Sequence, residues 1–144
     1  SLVRSKLVML LETMRHRSRN KTVLCACPPG DQHEGGLLMF AIEAVEQGWQ
    51  PIYLGPDLPI AALAATVRQA APLLVALSVI LRRETNELQR LLGSLHEAID
   101  GRCPVLLGGS GTVGHEDLIV QSGCCMMPPS GKLDDLLSAT RAGR

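Results

Sequence analysis

Five times along the chain a short apolar run is followed by a longer segment with helical spacing, and this alternation limits the fold more than any other feature. The runs are TVLCA from Thr22, PIYLG from Pro51, LLVALSV from Leu73, PVLLGG from Pro104 and CCMM from Cys124. The segments that follow them are LLMFAIEAVEQ, IAALAATVRQA, ETNELQRLLGSLHEAI, GHEDLIVQSG and KLDDLLSATR. Strands joined by helices of about ten to fifteen residues imply right-handed crossovers and a parallel sheet covered on both faces. Five such units predict an α/β, flavodoxin-like (Rossmann-like) three-layer sandwich whose five-stranded parallel sheet has the order 2-1-3-4-5.

Ahead of the first strand, Leu2, Val3, Lys6, Leu7, Leu10, Leu11 and Met14 stand near helical spacing and predict one amphipathic N-terminal helix. The early basic residues Arg4, Lys6, Arg15, Arg17, Arg19 and Lys21 read as a solvated helix end and linker rather than a nucleic-acid arm. The expected organisation is a helix and basic linker over residues 1–20 and one globular domain over 21–144. With 144 residues, 46% hydrophobic and a formal net charge of zero, the chain suits one core and not two. The chain has no apolar run of about eighteen residues and begins without an apolar signal region, so the expected compartment is the cytoplasm and no membrane contact is expected.

Several chemistries are disfavoured by what is missing. Aromatic residues make up 2% of the chain, too few for a surface on which bases stack, and no direct nucleic-acid contact is expected. Cys25, Cys27 and Cys103 sit in strand-like contexts, as reduced core thiols do, and neither Cys25-Ala26-Cys27 nor Cys124-Cys125 has zinc-ligand spacing. Cys124 to Met127 read as an apolar strand at the sheet edge.

In the predicted strand order the crevice lies beyond the carboxyl ends of the strands, where the first and third part company. A phosphoryl-accepting receiver domain needs an aspartate at the end of the third strand, and the residue there is Ser78. A flavin site wants a hydroxyl-rich phosphate loop and flanking aromatic rings, which CPPGDQHEGG does not supply. Gly109-Ser110-Gly111-Thr112-Val113-Gly114 matches G-x-G-x-x-G, but it follows the fourth strand instead of the first, and no acid ends the next strand. Its glycines imply a close approach to the backbone. Ser130-Gly131-Lys132 lacks the preceding glycine of a phosphate loop.

The loop after the first strand does carry chemistry. A neutral imidazole such as His33 ligates a transition metal through one nitrogen when an acceptor holds the other nitrogen and makes the ring more basic. Asp31 is placed to be that acceptor, and Ser78 to donate its hydroxyl to the same carboxylate. This is one protein ligand, too few for a free ion, and it suits a metal whose other ligands come from a macrocycle.

These residues resemble a known family. Asp31-Gln32-His33-Glu34-Gly35-Gly36 is similar to the Asp-x-His-x-x-Gly motif of cobalamin-binding domains, Ser78-Val79-Ile80 to their Ser-x-Leu motif with Ile for Leu, and Gly108-Gly109 to their Gly-Gly motif. The resemblance covers about residues 21–140. It implies cobalamin, as adenosyl-, methyl- or hydroxocobalamin, bound through Asp31, His33, Gly36, Ser78, Ile80, Gly108 and Gly109. His33 would replace dimethylbenzimidazole on the lower face of the cobalt, and the freed nucleotide tail would enter a pocket lined by Ser78, Ile80, Gly108 and Gly109.

Within the family, PPGDQHEGGLLMFA and IYLGPDLP most resemble the C-terminal sensor module of MerR-type, light-responsive cobalamin regulators. The role implied is a non-enzymatic sensor, with a helical-bundle cap or DNA-binding module in the same or another chain, and homo-oligomerisation as a further expectation. The alternative is a corrinoid carrier of a methyltransferase or mutase. Such carriers tend to follow the first motif with Lys-Asn, where this chain has Leu37-Leu38.

Overall fold

The computed structural model describes residues 4, 5, 8, 9, 21–127 and 131–142. Of the predicted N-terminal helix, Arg4, Ser5, Val8 and Met9 are helical; the other residues of that prediction and the basic linker up to residue 20 lie outside the described residues.

Five strands, β1 (Thr22–Ala26), β2 (Gln50–Gly55), β3 (Leu74–Ser78), β4 (Val105–Gly108) and β5 (Cys125–Met126), form one parallel sheet in the order β2-β1-β3-β4-β5. They alternate with α1 (Gly35–Glu46), α2 (Ile60–Ala70), α3 (Thr85–Ile99), α4 (Glu116–Gln121) and α5 (Leu133–Ala142). A three-residue 3-10 turn, Ser110–Thr112, follows β4.

Residues 23–26, 74–77 and 105–107 of the inner strands are continuously apolar because both faces are covered. Leu24, Ala26, Val75, Leu77, Val105 and Leu107 meet Leu63 and Val67 of α2, Leu88, Leu92, Leu95 and Ile99 of α3, and Ile119 of α4. Val23, Cys25, Leu74, Ala76 and Leu106 face the other way, toward Leu37, Leu38, Ala41, Ala44 and Val45 of α1 and Leu133 of α5. Removal of one such leucine from water contributes about 1.5–3 kcal/mol. Trp49, 1% exposed, seats α5 by donating its indole N–H to Asp134 Oδ1 at 2.9 Å. Among the described residues no helix is long and apolar enough to cross a membrane.

The helix ends follow local chemistry. After α1, Gly48 at φ 86° closes a Schellman motif, with Trp49 N–H on Ala44 O at 2.9 Å and Gly48 N–H on Val45 O at 3.0 Å. The register sets Ser78 beside Gly108, and Ala26 beside both Gly55 and Leu77, so these carboxyl ends form one rim. The switch point lies at β1 and β3, because the chain leaves β1 toward β2 on one side and returns to β3 on the other.

Candidate functional site

The β1–α1 loop begins with a turn that its sequence specifies. Asp31 N–H bonds to Pro28 O at 3.0 Å, with Pro29 in the second position and Gly30, at φ 92°, in the third, as a type II turn requires. The turn brings Asp31 back beneath the loop, where it is 1% exposed. Its Oδ1 accepts N–H bonds from Ile80 at 2.9 Å and Leu81 at 2.5 Å, just past the end of β3. Its Oδ2 stands 2.9 Å from Arg83 Nη2, in ion-pair contact but outside hydrogen-bond alignment. The same guanidinium donates to Pro29 O at 2.8 Å and to Leu81 O at 3.3 Å. Among the described residues, neither the His33 imidazole nor the Ser78 hydroxyl bonds to the carboxylate.

His33 itself is exposed on the loop. Its backbone is anchored from below, where the Cys27 thiol donates to His33 O at 3.6 Å. Burial, and secondarily the charge of Asp31, push the Cys27 pKa up to about 11, so the donor keeps its proton at neutral pH. The next residue, Glu34, is buried, pairs with Arg4 of the N-terminal segment, and accepts the Tyr53 hydroxyl of β2 at 2.5 Å. Burial raises the Tyr53 pKa well above its ordinary value, which keeps that hydroxyl a donor. His33 therefore extends from a loop fixed on both sides.

Beside it a mostly apolar cavity of about 160 Å³ opens between α1 and the sheet rim, lined by Gly36, Leu37 and Phe40, by Ala76, Leu77, Ser78 and Ile80, and by Gly108, Gly109 and Met127. Five of the seven predicted site residues thus share one cavity, and Asp31 is tied to it through the backbone of Ile80. A wider groove of about 670 Å³ borders the cavity at Gly36, Phe40, Gly108, Gly109 and Met127 and continues to Lys132.

The glycines divide into two kinds. A side chain on Gly36 would meet nothing within 4 Å and would enter the open space over the cavity. Gly109, at φ 103°, and Gly111 instead lie against the backbone of Val79 to Leu81, where a Cβ on Gly111 would be 2.6 Å from Leu81 O. The close approach expected at that glycine run is made by the neighbouring loop of the same chain.

Arg83, Cys27, Glu34 and Tyr53 escaped the reading of the sequence. Arg83 follows an identical Arg82, and only the fold distinguishes the guanidinium that reaches Asp31. A signal was present in Glu34, an acid three residues after a turn and next to an apolar helix, but its partners lie at positions 4 and 53.

The chain also resembles known proteins. It is 35% identical over 123 residues to the HTH-type transcriptional repressor CarA of Myxococcus xanthus, covering 85% of this chain and 42% of the repressor. It is 30% identical over 115 residues to CarH of the same organism, covering 80% of this chain and 38% of that repressor. The chain thus spans well under half the length of either relative. Among solved structures, a cobalamin-binding protein from Desulfitobacterium hafniense DCB-2 superposes with a TM-score of 0.64 at 18% identity, over 96% of this chain and 69% of that one. The methanol:cobalamin methyltransferase complex MtaBC from Methanosarcina barkeri superposes at 0.68 with 20% identity, over 85% of this chain and 47% of that one. The sequence profile of the B12 binding domain matches residues 21–130, and the chain belongs to that family, with cobalamin as its cofactor.

Proposed function

We propose that the chain binds cobalamin with its nucleotide base detached from the metal, takes His33 as the lower axial ligand of the cobalt, and serves as the sensor module of a transcriptional regulator. The residues present fit the cofactor. The cavity beneath α1 is narrow and mostly apolar, as a detached nucleotide tail requires, and Gly36 leaves free the space that a Cβ would fill. Bound cobalamin would supply an exchangeable upper ligand on the cobalt. The chain's own part is to present the imidazole from an anchored loop, to hold the tail against Ser78, Ile80, Gly108 and Gly109, and to keep water from the cavity with Leu37, Phe40 and Met127.

The observation that carries the regulatory role is the 35% identity to a transcriptional repressor across 85% of this chain. The corrinoid-carrier alternative is supported by the fold shared with the methyltransferase complex at 20% identity, which bears on architecture and not on role. A helical-bundle cap and a DNA-binding module, in the same or another chain, are the partners such a sensor would act through. The test is gel filtration and visible spectroscopy of the adenosylcobalamin complex in darkness and after illumination. A change in spectrum together with a change in elution supports the sensor. Identical elution with no spectral change contradicts it.

A further inference from the structure

We propose that Arg83 is a positioning residue that sets how strongly His33 holds cobalt, by sharing the Asp31 carboxylate with the imidazole. The inference rests on His33 as the cobalt ligand and specifies how that ligand is tuned. The Asp31 side chain is 0% exposed, and its two oxygens are used differently. Oδ1 already accepts two backbone N–H groups, at 2.9 and 2.5 Å. Oδ2 is buried and accepts no hydrogen bond among the described residues, although Arg83 Nη2 stands 2.9 Å away. A carboxylate oxygen has two lone-pair sites, and leaving a buried acceptor unused is unfavourable, so Oδ2 is the acceptor open to an imidazole N–H two residues along the chain.

The guanidinium does not move aside for that bond. It is held by Pro29 O from the first loop and by Leu81 O from the third, at 2.8 and 3.3 Å. A fixed cation on the acceptor draws off part of its negative charge. The imidazole then gains less basicity than it would from an unshared carboxylate, and it binds the metal less tightly. The result is a histidine ligand biased toward release.

The experiment uses the full chain reconstituted with hydroxocobalamin and reduced to cobalt(II). Electron paramagnetic resonance reads the ratio of nitrogen-bound to unligated cobalt, and a redox titration reads the cobalt(II)/cobalt(I) midpoint. Arg83→Gln is expected to raise the ratio by about threefold or more, a fraction of the roughly 10–100-fold by which the partners of a metal-ligating histidine change metal affinity, and to make the midpoint more negative. Arg83→Lys, which keeps a cation without the planar fork, shifts both in the same sense by less, and it remains measurable if the glutamine variant does not fold. In an Asp31→Asn background the effect of Arg83→Gln disappears. An unchanged ratio and midpoint, or a loss of nitrogen-bound cobalt as a merely structural clamp would produce, overturns the proposal. If His33→Ala keeps the nitrogen signal of the wild type, the ligand assignment itself falls, whatever the Arg83 variants show.

Discussion

The amide of Gly111 donates to Val79 O at 2.8 Å, so the loops after β3 and β4 touch backbone to backbone. A Cβ on Gly111 would stand 2.6 Å from Leu81 O and 2.8 Å from Val79 O, and Gly109 meets the same carbonyl at a φ of 103°. Gly109→Ala and Gly111→Ala are each expected to destabilise the cofactor-free protein by about 2 kcal/mol or more, through overpacking at both and left-handed strain at Gly109. Urea denaturation without cobalamin measures this directly.

Gly36 should behave in the opposite way. It lies in the first turn of α1 with nothing within 4 Å of a Cβ, so Gly36→Ala is expected to leave the free protein as stable or to raise its stability by about 0.5–1 kcal/mol through helix propensity. Cobalamin retention on gel filtration should fall in Gly36→Ala and fail in Gly36→Leu, with an unchanged circular dichroism spectrum in both. Equal retention by all three proteins would remove Gly36 from the site.

The sheet and its order were legible because burial on both faces imposes long apolar strands and helical connections, and those patterns are local. The ends of α2 and α3 were less so. Ala71 at φ 46° and Asp100 at φ 53° close those helices in a left-handed conformation with no glycine at that position to announce it. The candidate site divides along the same line. The residues lining the cavity stand out as short motifs at strand ends. The Asp31–Arg83 contact spans 52 positions and depends on two loops meeting, which no single segment encodes. The glycines after β4 were visible, but what approaches them was not.

Arg83 and Asp31 are withdrawn from solvent, with side-chain exposures of 8% and 0%. Arg83→Met leaves a buried carboxylate without its cation, at an expected cost of about 3 kcal/mol. Adding Asp31→Asn removes the uncompensated charge and should recover part of that loss. Urea midpoints of the two single variants and the double variant form the cycle; a fully additive result would show that the two side chains do not interact.

Asp134 links pH to the docking of α5. Hydrogen bonds from Lys21, and next from Trp49, hold its pKa below the ordinary 3.8. Because the folded carboxyl has the lower pKa, its contribution to stability is fully present above about pH 4 and is lost as pH falls through the folded value. Trp49 is the only tryptophan, so its fluorescence should change below pH 3.8. The stability difference between wild type and Asp134→Asn should close over the same range. A difference that persists unchanged to pH 2 would contradict this assignment.

His33 is expected to bind the cobalt of a cobalamin held by this domain. The direct measurement is to mix the protein with hydroxocobalamin, remove free corrin by gel filtration, and compare visible spectra of wild type and His33→Ala. The wild type is expected to retain the corrin with a histidine-ligated spectrum, and the variant to lose that spectral signature. A wild type that retains no corrin, or a variant whose spectrum matches the wild type, would contradict it.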